Sequence, residues 1–171
     1  MGFLKKLFRG DNNNQGDKRP DIEALLSSQD ANNAIIEIDN YVCRLCSWGG
    51  TLDRLTEPQR IFYFNQNIER EINNGGFNQY FYNSSGDFAH ETLASLQTIG
   101  GNKTADILKQ AIDQFPNSIV PRDRAERQEI LEQIEEKANE VWEQLDQAFY
   151  KYEDNLNDLN IEYIKQNRSS F

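Results

Sequence analysis

DRAERQEILEQIEEKANEVWEQLDQAFYKY, residues 123–152, is the longest continuous periodic stretch in the chain and decides its class. At about 100° per residue, Ile130, Leu131, Ile134, Ala138, Val141, Trp142, Leu145, Ala148 and Phe149 fall in one broad sector, the width of a helix stripe facing a core. Asp123-Arg124-Ala125-Glu126 has the form of an N-terminal cap. Glu129, Glu132, Glu136, Glu140 and Glu143 fall in the opposite sector at spacings of three or four, with Glu135 and Asp146 on its flank. The stretch therefore predicts a long helix, apolar on one face and acidic on the other.

Similar punctuation recurs on both sides. Pro20-Asp21 opens a short segment through Leu25 and Leu26, and Asp30 is expected to cap a helix carrying Ile35, Ile38, Val42 and Leu45 until Gly49-Gly50 stops it. Thr56-Glu57-Pro58-Gln59 has the form of a capping box with proline in the first turn, starting a helix through Ile61, Phe62, Phe64, Ile68 and Ile72 that Gly75-Gly76 ends. Asp87 is expected to cap a helix through Leu93 and Leu96 to Gly100-Gly101. Asn102 is expected to cap the next, through Ala105, Leu108, Ala111 and Ile112, which ends before Pro116. A last piece carries Ile161 and Ile164. No stretch of strict apolar alternation argues for a sheet.

The expected fold is all-α, a single compact bundle of six to eight helices over residues 20–171, preceded by a flexible basic N-terminal arm and linker, residues 1–19. In the arm, Phe3, Leu4, Leu7 and Phe8 alternate with Lys5, Lys6 and Arg9, a short amphipathic pattern that could touch a membrane surface or a partner groove. It spans barely two helical turns, so a loose tail is the simpler reading.

The 171 residues suit one domain, and ten Phe, seven Tyr and two Trp supply a buriable core. Eighteen Lys and Arg against twenty-eight Asp and Glu leave a formal charge of -10. Such a surface repels nucleic acid and anionic membrane, so direct nucleic-acid binding is not expected and a protein partner should be basic. From Glu129 to Glu162, eleven acidic residues face two basic ones, a net -9. From Glu129 to Glu143 a helix rises about 21 Å, so five carboxylates stand about 5 Å apart, against about 3.4 Å per phosphate along one DNA strand. Like charges at this spacing cost a few tenths of a kcal/mol per pair, so helix stability does not account for them. Either the face is merely solvated, or it meets a basic partner. No apolar run approaches the eighteen or so residues of a membrane span, and the opening residues are too short for a signal peptide, which points to the cytoplasm.

Catalytic arrangements are mostly missing. His90 is the single histidine, and Asp87-x-x-His90 alone falls short of a metal site. Cys43-Arg44-Leu45-Cys46 has the C-x-x-C spacing but falls deep in an apolar-periodic helix, where small buried hydrophobes are the better reading. Gly100-Gly101-Asn102-Lys103-Thr104 lacks the upstream glycine of a phosphate loop, and Ser84 and Ser85 lie in no nucleophile elbow. No enzyme activity, cofactor or metal is expected.

Residues 73–86, NNGGFNQYFYNSSG, join two adjacent glycines, four aromatics and five side-chain amides. Gly75-Gly76 can let a helix end and reverse through positive φ, Phe77, Tyr80 and Phe81 can then plug a core, and the amides can satisfy backbone groups the turn leaves open. Alternatively, Asn74, Gln79 and Asn83 line a polar pocket. The pattern N-G-G-F-x-Q-Y-F-x-N-S-S-G, followed by a helix to an I-G-G turn, resembles a bacterial domain-of-unknown-function family that includes a DNA-mimic protein. Asn74, Gly75, Gly76, Phe77, Gln79, Tyr80, Phe81, Asn83, Ser85 and Gly86 match its signature. Leu145-Asp146, Phe149-Tyr150 and Tyr163-Ile164 fit its downstream pattern, and the resemblance spans roughly Asn33 to Asn167.

What the resemblance implies is a non-catalytic acidic protein with a role in transcription regulation, whose surface imitates DNA phosphates and occupies the DNA-binding surface of a helix-turn-helix protein. The signature is not itself the mimic. In this sequence the acidic face of Glu129, Glu132, Glu136, Glu140, Glu143 and Asp146 is the candidate for that role. Two alternatives stand beside it: an immunity-type or structural protein that neutralises a basic partner through the same face, and a small-ligand binder or enzyme using the Asn74–Gly86 corner.

Overall fold

The computed structural model describes residues 18–171. The basic arm, including the stretch 3–9 read as a possible membrane or groove contact, lies outside the described residues. Seven α-helices follow one another: α1 Ile22–Ser27, α2 Ala31–Leu45, α3 Glu57–Tyr82, α4 Ala89–Thr98, α5 Asn102–Ile112, α6 Arg124–Phe149 and α7 Leu156–Gln166. There is no strand among the described residues, and the expected all-α bundle is what forms.

Local chemistry sets most helix starts. Asp21, Asp30 and Asp123 each accept a main-chain N–H of the first turn of α1, α2 and α6. At α3 the capping box is complete: Thr56 Oγ1 accepts from Gln59 N–H, and Gln59 Oε1 accepts from Thr56 N–H. Three expectations fail. Asp87 does not cap α4, which grows out of a 3₁₀ turn, Ser84–Phe88, with no side-chain cap; Asp87 is drawn away to a buried cation described below. Asn102 is not the cap of α5 but its first residue, and the role passes to Asp154, whose Oδ2 accepts Thr104 N–H at 2.7 Å from fifty residues along the chain. A carboxylate suits that position because it also meets the positive end of the helix dipole. Finally, α2 stops at Leu45, ahead of Gly49-Gly50, and the chain turns with Ser47, Trp48 and Gly49 all at positive φ.

The apolar residues gather into two connected cores. In one, α1, α2, the first half of α3 and α7 enclose Ile35, Ile38, Val42, Phe62 and Ile164. In the other, the second half of α3 packs with α4, α5 and α6 around Phe77, Phe81, Leu108, Phe115 and Trp142. Trp142 is buried without an orphaned donor because its indole N–H reaches the Ala111 carbonyl at 3.1 Å. The helix that joins the two cores is α3, and the way it bends between them positions everything below.

Candidate functional site

The bend falls at the signature. Gly75 (φ -172°, ψ 18°) and Gly76 (φ 72°, ψ -170°) are non-helical, and residues 77–82 resume as a helix after them, so the glycine pair bends α3 where the sequence predicts its end. The change of direction drives Phe77, Tyr80 and Phe81 inward, each at most 1% exposed. Phe81 packs against Phe115 and Trp142 with ring centroids 4.9 and 5.2 Å away. Main-chain groups at the break find partners on the C-terminal end of α6. Asp146 Oδ1 accepts Phe77 N–H at 2.9 Å, and the Tyr150 hydroxyl donates to the Ile72 carbonyl at 2.9 Å. Tyr152 adds a bond from its hydroxyl to Asn73 Oδ1.

Asp146 stands on the flank of the acidic stripe, half-buried, and that position lets it reach the Phe77 N–H at the bend. Burial pushes its carboxyl pKa up, Phe77 N–H pulls it partly back, and Glu143 raises it again. A folded-state pKa above the unfolded one means that the ionised form costs stability, and the cost disappears as pH falls. Asp146→Asn, which keeps an acceptor and loses the charge, is expected to equal or exceed the parent in urea unfolding at neutral pH. That advantage should shrink in the acid range. Asp146→Leu leaves Phe77 N–H unpaired and should lose about 1–3 kcal/mol at either pH; equal losses for both variants would contradict this account.

The amides of the signature converge on a residue the sequence reading missed. Gln79 Nε2 and Asn83 Nδ2 donate to Glu71 Oε2 at 2.8 and 2.9 Å, and Ser85 Oγ donates to Glu71 Oε1 at 2.9 Å. Behind Ser85 the network continues through Asn67 to Arg70, which pairs with Asp39 at 2.5 Å. Asn74 is exposed and makes none of these bonds. Gln79 and Asn83 therefore hold a carboxylate instead of the main chain, and Asn74, named with them in the alternative pocket reading, does not join them. A carboxylate held by three donors is a structural anchor with little acceptor capacity left for a substrate.

The main chain is served by Arg127, the second residue missed. Its side chain is fully buried. It donates to the carbonyls of Phe81 (2.6 Å), Pro121 (2.7 Å), Arg122 (3.3 Å) and Asn83 (2.9 Å), and to Asp87 Oδ1 at 2.5 Å. Five donors meet five acceptors, the full capacity of a guanidinium. Gly86 belongs to the same device: a Cβ there would stand 2.7 Å from Arg127 Nε and 2.8 Å from the Phe81 carbonyl oxygen, too close for any side chain. A signal was present, since Arg127 lies one helical turn before Leu131, on the apolar stripe of α6.

Cys43 and Cys46 are free and fully buried, and burial pushes the Cys43 thiol up to about 12. Neither is an exposed thiolate. His90 Nε2 accepts Val120 N–H at 3.2 Å, which ties α4 to the link before α6. Among the described residues no group of three or more His, Cys, Asp or Glu gathers at metal-binding distance, and no helix is long and apolar enough to cross a membrane.

The acidic side of α6 remains. Glu129, Glu132, Glu136, Glu140 and Glu143 are all exposed, as is Glu135. Among the described residues none of the five forms an ion pair. The opposite face is core: Leu131, Ala138, Trp142, Leu145 and Phe149 are buried. The carboxylates thus project from a rigid helix anchored along its length.

Fold and surface together define an all-α protein with an acidic helix face and a bent helix locked by polar side chains. Residues 53–167 match the model of a family described as DMP19-like protein, and the chain belongs to that family. No match to the chain is found among curated proteins or among solved structures.

Proposed function

We propose that this is a non-catalytic interaction protein whose α6 face occupies the basic surface of a DNA-binding protein, in the manner of a DNA mimic; a helix-turn-helix protein is the partner class the family resemblance suggests. The observation that carries the reading is the row of five exposed carboxylates on one side of α6, unpaired among the described residues and about 5 Å apart along a rise of about 21 Å. That charge density is of the order of one DNA strand's, and a helix packed on its other face holds it without further ordering. Membership of the DMP19-like family agrees with it.

The test is a tagged pull-down from native cytosol at low and high salt, alongside the variant with Glu132, Glu136, Glu140 and Glu143 all changed to Gln. The variant should keep its helical content and melting temperature, because removing like charges from an exposed face does not destabilise it. Salt-sensitive capture of a DNA-binding protein, lost in the variant, is the expected result. Capture of a basic toxin or enzyme through the same residues would favour the immunity-type alternative. Capture that is indifferent to both salt and the four substitutions would overturn the reading.

A further inference from the structure

We infer that the cleft between the end of α3 and the first half of α6 receives an arginine side chain of the basic partner, an inference that rests on the acidic-face reading above. Asn78, Tyr82, Gln128, Leu131, Glu132 and Glu135 line a cleft of about 350 Å³. Its ingredients differ from those of the open row of carboxylates beside it. Leu131, a buried core residue at 7% exposure, supplies an apolar lining at the base, while Tyr82 is 54% exposed. Two carboxylates of the acidic helix, Glu132 and Glu135, complete the lining.

The lining is held in place. Gln128 Nε2 and Arg124 Nε donate to the Tyr82 carbonyl at 3.2 and 3.3 Å, fixing the end of α3 against α6. Asn78 Nδ2 donates to Asn139 Oδ1 at 3.0 Å and to Glu135 Oε1 at 3.3 Å, which steadies one oxygen of Glu135 and leaves the other with no bond among the described residues. A guanidinium is planar and weakly hydrated, stacks on aromatic rings and forks onto carboxylates; an ammonium is compact, strongly hydrated and gains less from a ring. An aromatic residue, an apolar lining and two carboxylates therefore select arginine over lysine, whereas the open row attracts any cation. The occupant is an arginine that projects from the partner's basic surface, with the row of Glu136, Glu140 and Glu143 steering the approach.

The cleft is tested with two synthetic peptides of equal length and charge, one carrying arginines and one lysines separated by serines. Each is titrated at low salt into the full chain and followed by calorimetry and amide NMR shifts. Three variants accompany the parent: Tyr82→Ala, the cleft pair Glu132→Gln with Glu135→Gln, and the distal pair Glu140→Gln with Glu143→Gln. The distal pair changes the charge equally, about 12 Å further along α6. The arginine peptide is expected to bind more tightly than the lysine peptide, to lose about three- to tenfold in affinity with Tyr82→Ala or the cleft pair, and to lose less with the distal pair. Tyr82→Phe, which keeps the ring, should retain binding. Equal affinity for the two peptides, or equal losses from both pairs with no effect of Tyr82→Ala, would overturn the cleft while leaving the acidic-face reading standing. Binding of neither peptide would overturn both.

Discussion

Arg127→Met is expected to cost about 3–5 kcal/mol, the range found when one partner of a buried ion pair is removed. Methionine fills similar space but donates nothing, so the carbonyls of Phe81, Pro121 and Asn83 lose a donor and Asp87 keeps a charge without its counterion. For a chain of this size the melting temperature should fall by roughly 6–20 °C. Arg127→Lys should recover only part of the loss, because an ammonium has three donors and lacks the planar fork that reaches all five acceptors. Adding Asp87→Asn to Arg127→Met should return the share due to the stranded charge, which a double-mutant cycle isolates. A melting temperature unchanged by Arg127→Met would show that the guanidinium is not the lock.

Gly76→Val ranks second. At φ 72° and ψ -170° the residue occupies a region that is essentially reserved for glycine, and forcing a side chain into it costs about 1–3 kcal/mol in backbone strain alone. Valine adds a second conflict, since a Cβ at Gly76 would run into the Asp146 carboxylate. Relief would have to come from moving Asp146 away and orphaning Phe77 N–H, for a further cost of about 1–3 kcal/mol. The sum, about 2–6 kcal/mol, should be visible in urea unfolding. Gly76→Ala should fall between the parent and the valine variant. A Gly76→Val protein as stable as the parent would mean that the bend tolerates another backbone path.

Much of the fold was legible because periodicity reports burial one helix at a time. The stripe from Ile130 to Phe149 on α6, the capping box of α3, the aspartate caps and the break at Gly75-Gly76 depend on residues a few positions apart. The errors have one character. Asp87 and Asn102 have the residue types and positions of caps, but a distant partner outcompeted the local one: Arg127 took Asp87, and Asp154 took the first turn of α5. The bond from Phe77 N–H to Asp146 is equally a matter of packing, since only the approach of α3 to α6 brings this flank residue of the acidic stripe to the bend.

The corner shows the same division. That Phe77, Tyr80 and Phe81 would enter a core could be read from three large apolar side chains after a glycine pair. That Gln79, Asn83 and Ser85 would gather on Glu71 could not, since nothing in the spacing singles out that carboxylate among the twenty-eight acidic residues.

By itself the sequence determined the helical class, the acidic side of α6 and the place where α3 must bend, because each follows from local propensity, hydrophobic spacing or the φ range of glycine. Only the tertiary structure decided which polar groups meet. Phe77 and Asp146 stand sixty-nine residues apart, and Arg127 and Phe81 forty-six. Such pairs are chosen by how α3 and α6 pack against each other, since a buried donor or acceptor left unpaired costs free energy and its partner must stand within about 3 Å wherever the packing of the cores has put it.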